Sequence, residues 1–231
     1  HTNNGKGAFK GMAPEADLVF LKIGQDEDAV AEDPQIIAAI DAAINIYHAD
    51  IISMSYGGWD DFHDGSSAME QKVDWAYSQG VPFFCSAGND ADKNKHWKGV
   101  VVANSQSDFI EVQVSEPGDD TTMLRFNMVW ADGIQRGDLS LLYFNSSKQP
   151  LNDVTLLPAT QSTKGTESRY SWYNVALHSA GTYYIKVVNN SNQSHEVHIF
   201  EDWNNLRIGT DHVTFTNADP SYTVGAPSSA E

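Results

Sequence analysis

Val81-Pro-Phe-Phe-Cys-Ser-Ala-Gly-Asn89 is the stretch on which the rest of the chain is read. An apolar run, Val81 to Cys85, stops abruptly in three small residues and an amide. A buried central strand that delivers one polar side chain to the mouth of a site has this pattern. Ser86, Ala87 and Gly88 let another backbone approach closely, and Asn89 can donate two amide protons. A donor fixed at a strand's carboxyl end suits the stabilisation of negative charge developing on a carbonyl oxygen. A strand running into an Asn-Asp turn is the plainer reading of these nine residues, and their neighbours decide between the two.

Upstream, His1 to Lys10 is a polar, glycine-rich loop, and Pro14 stops any helix in the following turn. Leu18-Val-Phe-Leu-Lys-Ile23 reads as a buried strand, followed by an acidic loop to Glu32. The spacing predicts a helix with Asp33 as N-cap, Pro34 at its first position and Ile36, Ile37, Ile40, Ala43, Ile44 and Tyr47 on its apolar face. Ile51 to Ser55 is the next strand and ends at Tyr56-Gly57-Gly58. A second helix runs from about Ser66 to Gln79, with Met69, Val73, Ala76 and Tyr77 on one face. Gly80 caps its end, and Gly65 to Met69 caps its beginning. Strand, helix, strand, helix, strand argues for a parallel α/β layer with right-handed crossovers. The functional edge of such a sheet lies at the strands' carboxyl ends, where Ser55 to Gly58 and Ser86 to Asn89 both fall. Two glycine-containing strand ends side by side form a groove in which an extended peptide can pair with backbone.

The 231 residues, 41% hydrophobic, suit one large or two small globular domains. A net charge of −17 makes nucleic acid and anionic membrane poor partners. Carboxylates in this number could collect a structural Ca²⁺, against the default of a solvated acidic surface. Cys85, the single cysteine, excludes an internal disulfide, and its place in the apolar run suits a small inert hydrophobe. No run approaches the roughly 20 apolar residues that span a membrane. Without an initiating Met or a signal peptide, the sequence reads as an excised piece.

Gly11-Met-Ala-Pro-Glu-Ala16, Ile51-Ile-Ser-Met-Ser-Tyr-Gly-Gly58 and Ser86-Ala-Gly-Asn89 resemble three successive signatures of the subtilisin-like serine proteases, in order and spacing. The resemblance implies that Asn89 is the oxyanion-hole amide. It further implies that Ser55, Tyr56, Gly57 and Gly58 pair with substrate and wall its pocket, with Ser86, Ala87 and Gly88 as the opposite wall. In that family the catalytic Asp and a His-Gly-Thr-His motif precede the Gly-Met-Ala-Pro turn, and Gly-Thr-Ser-Met follows the asparagine. Neither motif occurs in this chain. Acyl transfer needs nucleophile, base and orienting acid in one constellation, so the chain alone is expected to be inactive on peptides.

After Asn89 the character changes. Val100–Ala103, Phe109–Val114, Leu124–Trp130, Leu139–Phe144, Tyr170–Leu177, Thr182–Val188 and Glu196–Phe200 are short alternating or apolar runs between Gly, Asn, Asp and Ser clusters. Strands so spaced argue for an antiparallel sandwich or jelly roll. Leu124 to Asp132 with Gly137 to Leu142, then Ala180 to Val187, also resemble the jelly-roll modules that many subtilases carry. Because protease-like sequence resumes at Ser221-Tyr-Thr-Val-Gly-Ala226, read as a strand, the module reads as an insertion. The expected fold is α/β: a partial parallel-sheet subtilisin-like domain (residues 1–93 and 206–231) interrupted by an all-β antiparallel sandwich (residues 94–205).

Within the module, Asp132 and Asp138 flank a loop and could share a Ca²⁺, against the simpler reading of a solvated turn. Asn3 and Asn4 resemble part of the family's calcium loop, without a carboxylate nearby. Trp130, Trp172, Tyr173, Tyr183, Tyr184 and Trp203 could form a carbohydrate platform or, more simply, core. His195 and His198 are three apart on an expected strand and so face opposite sides. Asn145, Asn189 and Asn192 head Asn-X-Ser sequons, relevant only to a chain secreted by a eukaryote. Two functions of different class follow. One is a secreted serine endopeptidase acting on protein or peptide; the other is a non-catalytic pseudoprotease or adhesin working through the jelly roll.

Overall fold

The computed structural model describes residues 11–25, 31–59, 62–115, 122–124, 126–131, 139–151, 160–164, 167–171, 175–177, 180–201 and 213–228. They belong to two compact units, one of residues 1–54 with 72–84 and the other of residues 55–71 with 85–231.

In the first unit α1 (Asp33–Asn45) buries Ile36, Ile40 and Ala43, which recur at the helical period. Its cap is Glu32 rather than Asp33: Glu32 N–H donates to Gln35 Oε1 at 3.0 Å, placing Pro34 inside the first turn. β1 (Ile52–Met54) and β2 (Phe83–Cys85) pair, and between them lies α2 (Ala68–Ser78). Ser67 and Glu70 cap α2 reciprocally, each backbone N–H donating to the other's side-chain oxygen at 3.1 Å. At its other end Gly80, with φ +83°, lets Val81 N–H reach the Ala76 carbonyl at 3.2 Å. Met69, Val73 and Ala76 are buried, whereas Tyr77, expected on the same face, is 71% exposed, and Tyr47, expected on the first helix, lies beyond its end and is exposed too.

Leu18–Ile23 does not form the expected buried strand. It is irregular, and Phe20 is 77% exposed. An apolar run becomes a strand only where a neighbour offers a ladder, and the described sheet of this unit holds only β1 and β2. For the same reason β2 is not buried on both faces, and its Phe84 points to solvent.

The second unit is antiparallel. β3 (His96–Val101), β4 (Ser105–Gln106), β5 (Ile110–Val114), β6 (Thr122–Leu124), β7 (Phe126–Ala131), β8 (Leu139–Phe144), β9 (Thr160–Gln161), β10 (Glu167–Ser171), β11 (Val175–Leu177), β12 (Gly181–Asn189), β13 (His195–Glu201) and β14 (Val213–Phe215) follow in order. One sheet runs β3-β13-β7-β10-β9, all antiparallel. In the other, β12 pairs with β5, β4 and β8, and β14 with β5. β6 and β11 form a separate ladder. Four of the seven runs of the sequence pattern coincide with strands, namely β5, β8, β12 and β13; Val100–Ala103 overlaps only the end of β3, and Leu124–Trp130 and Tyr170–Leu177 fall on β6 with β7 and on β10 with β11.

Period-two alternation builds the core between the sheets. Ile110, Val112 and Val114, Leu139, Leu141 and Tyr143, and Tyr183, Ile185 and Val187 from one sheet meet Phe126, Met128, Trp130, Val197 and Ile199 from the other. Trp130 and Tyr183 are therefore core rather than platform, while Trp172, Tyr173 and Trp203 lie outside the described residues. A buried ion pair closes one edge: Lys95 Nζ lies 2.7 Å from Glu201 Oε2 and donates to the Val213 carbonyl. The stretch 221–226 is not a strand but a turn with one bridge, Gly58 to Ala226. Tyr222 takes left-handed backbone, φ 59°, and Pro220 and Pro227 bracket the stretch, so no ladder can run through it.

Candidate functional site

The continuations of β1 and β2 meet a third segment, residues 219–228. Gly58 N–H donates to the Ala226 carbonyl at 3.1 Å, and Ala226 N–H returns the bond to Gly58 at 2.9 Å. The approach is close enough to require glycine on both sides. A Cβ at Gly57 would stand 2.4 Å from the Ala226 oxygen, and one at Gly225 would stand 2.6 Å from the Gly58 oxygen. Ser228 Oγ donates to the Ser86 carbonyl at 2.6 Å, tying the second strand end to the same segment. Gly88 has φ +91°, a backbone that side chains avoid, and faces the Thr223 carbonyl.

The structure thus gathers the two stretches Ser55–Gly58 and Ser86–Gly88 around Thr223–Ser228. Ser55, Gly57, Gly58, Ser86, Ala87, Gly88 and Asn89 are exposed and Tyr56 is half-buried, so an extended chain can reach the edge. The Asn89 side chain makes no hydrogen bond to a described residue, leaving its amide protons available. Burial pushes the Cys85 thiol up, with the Ser228 hydroxyl acting in the opposite direction; a thiol raised in this way is a poor nucleophile.

The second unit supplies an anchor that sequence reasoning missed. Trp59, directly after the glycine pair, is buried against Val129 and Phe200 on the outer face of the first sheet. Its Nε1–H donates to the Thr223 carbonyl at 3.2 Å, and its own carbonyl accepts from Asn127 Nδ2 at 2.5 Å. The signal was present in Asn127, an amide inside the otherwise apolar Phe126–Trp130, since a buried amide must find a partner.

Beside this anchor His63, His96 and His198 crowd around Phe200, with ring centroids 4.7, 4.5 and 6.4 Å from it. Burial holds all three imidazoles below their ordinary range, His63 at about 4, where repulsion from the other two adds to the effect. Lys98 draws the Glu196 carboxyl down and is itself raised by it, while the hydroxyl and N–H of Ser221 hold the Asp219 carboxyl low. His195 faces away from His198, as its spacing predicts, and its ring contacts the Ala131 carbonyl and the Ser191 hydroxyl.

Among the described residues no group of three or more His, Cys, Asp or Glu side chains is arranged to hold a metal. The suggested calcium residues Asp132 and Asp138, like Asn3 and Asn4, lie outside the described residues. No described helix is long and apolar enough to cross a membrane.

The sequence model described as the subtilase family matches residues 1–176, more than half of the chain. The Major intracellular serine protease of Bacillus subtilis (strain 168) is 36% identical over 90 residues, 39% of this chain and 27% of that protein. Among solved structures, the Clostridium perfringens CspB protease superposes with a TM-score of 0.65 at 15% identity, over 91% of this chain and 46% of that one. At that identity the superposition speaks for a shared fold. The chain spans less than half the length of either relative.

Proposed function

The chain belongs to the subtilase family, and from that membership we propose that it is the substrate-edge portion of a subtilisin-type serine endopeptidase. An extended peptide lies between Ser55–Gly58 and Ser86–Gly88 and pairs with their backbone, as a strand adds to an open edge. Asn89 donates its amide protons to the oxyanion that forms on the scissile carbonyl. What supports this reading is the convergence of two exposed, glycine-bearing strand ends on one segment, 223–228, with Asn89 ending the second. Nucleophile and base come from elsewhere in the complete enzyme, so the chain alone leaves peptide bonds intact. Hydrolysis by it that a serine-directed phosphonate blocks would contradict this.

Residues 94–205 act as a jelly-roll module inserted into the protease sequence. The antiparallel sheet β3-β13-β7-β10-β9 and the ladders of β12 with β5, β4 and β8, with their common core, support that assignment. Titration of the chain with an uncleavable extended hexapeptide, followed by backbone amide shifts, tests the edge. Shifts confined to residues 55–58 and 86–89 are expected; shifts elsewhere only, or none at millimolar peptide, would overturn it.

A further inference from the structure

The histidines on the outer face of the first sheet hold the segment that carries the edge. His96 is wholly buried, and both its ring nitrogens are engaged. Nδ1 lies 3.0 Å from the Asp219 carbonyl oxygen, and Nε2 lies 3.0 Å from His198 Nδ1. A carbonyl only accepts, so His96 Nδ1 carries a proton. The neutral pair is complete when His198 Nδ1–H donates to His96 Nε2. His198 Nε2 then points toward Glu196 Oε1 at 3.4 Å, and one added proton is accommodated there as an ion pair. A second has no such place. His96 Nε2–H would confront His198 Nδ1–H across 3.0 Å, turning the bond between the rings into repulsion between two cations.

Other charged and titratable groups surround the pair. From β3, Lys98 reaches Glu196 at 3.1 Å and lies 4.8 Å above the Tyr222 ring. The 219–222 segment contributes Asp219 and Tyr222, the latter ring 4.5 Å from His198. His63 and Asp64 come from the loop before α2. In the ladder, Val129 stands opposite His198 and Arg169 opposite Val129.

The pair grips one end of the segment that braces Gly57 and Gly58. The His96 carbonyl accepts from Asp219 N–H at 2.8 Å while its ring donates back to the Asp219 carbonyl. From Asp219 the chain passes Tyr222 to Thr223, which accepts from Trp59, and to Ala226, which bridges Gly58. We propose that His96 and His198 form a proton-sensitive clasp that positions residues 219–226 against the Gly57–Gly58 strand end. The clasp is closed while the pair is neutral or shares one added proton, and it opens when both rings are charged. Its consequence for peptide binding rests on the proposed role of that edge; the clasp itself does not.

Amide hydrogen exchange of the full chain between pH 7.5 and 4.5 tests the clasp without any peptide. Gly58 and Ala226 report on the bridge and Ile185 on the core, each corrected for its intrinsic rate. The expected result is a loss of bridge protection about tenfold or more beyond any loss at Ile185, the effect of one pKa unit of differential protonation. His198→Asn keeps an amide donor facing His96 and, by turning over, an acceptor for a protonated His96, so its bridge protection is expected to stay flat. Glu196→Gln withdraws the carboxylate that favours a proton on His198, so charging of both rings, and with it opening, begins at lower pH. Constant bridge protection in the parent chain would overturn the proposal, as would a loss that persists in His198→Asn. Equal loss at Gly58, Ala226 and Ile185 would also overturn it, since acid would then unfold the sandwich rather than open the clasp.

Discussion

Lys95 and His96 are neighbours in sequence, yet they join β13 by opposite physics. Lys95 meets Glu201, on the same side of β13 as the core residues Val197 and Ile199, and both partners are almost wholly buried. His96 meets His198 on the other side, beneath the segment that braces the strand end. The first contact joins opposite charges, and the same ammonium donates a second hydrogen bond to the Val213 carbonyl. The second is attractive only while the two rings hold few protons. One face of the β3–β13 pair is locked; the other is conditional.

The ion pair is the place to expect the largest loss. Lys95→Met leaves a buried carboxylate without its cation and should cost about 3–5 kcal/mol in urea unfolding, while Lys95→Met with Glu201→Leu recovers most of it. An unimproved double variant would show that the pair attracts more than its desolvation costs. Asn127→Ala strands the Trp59 carbonyl and should cost about 1–3 kcal/mol, with the bridge amides of Gly58 and Ala226 losing protection before Ile185.

The conditional side is tested by pH. His63, His96 and His198 have depressed pKa values in the folded chain, so the unfolded chain takes up protons first, near 6.5. Stability is therefore complete above pH 6.5 and falls as pH drops, for His63 down to about 4. Denaturation midpoints at pH 7.5, 6 and 5 should decline in that order, and Lys95→Met should keep the same decline from a lower start. A rise toward pH 5 would reverse the sign and sink the comparison. Smallest of all, Lys98→Ala removes a solvent-screened contact with Glu196 and should leave the denaturation midpoint almost unchanged.

These contrasts also mark what could be seen in the sequence. The alternation Tyr183, Ile185, Val187 predicts β12, because period-two burial on a long strand is written locally. Ser55–Gly58 and Ser86–Asn89 were legible as strand ends since glycine and small residues stop an apolar run. Leu18–Ile23 misled, because an apolar run says nothing about whether a ladder partner is present. Ser221–Ala226 misled for a related reason: its composition suits a strand, but Tyr222 takes a left-handed backbone between two prolines. The spacing of His195 and His198 rightly set them on opposite faces. It could not supply His198's partner, His96, which lies 102 residues away and is brought there by the register of β3 on β13. Ser228 and Trp59 escaped likewise, as each acts on a backbone carbonyl distant in sequence.

The central claim is that Asn89 stabilises the oxyanion of a peptide held at this edge, and Asn89→Ala in the complete enzyme tests it most directly. The account predicts a fall in kcat of about 10²–10³, the magnitude established for the corresponding amide of subtilisin itself, with KM little changed because the amide acts on the transition state. An unchanged kcat, or a loss expressed only in KM, would contradict it.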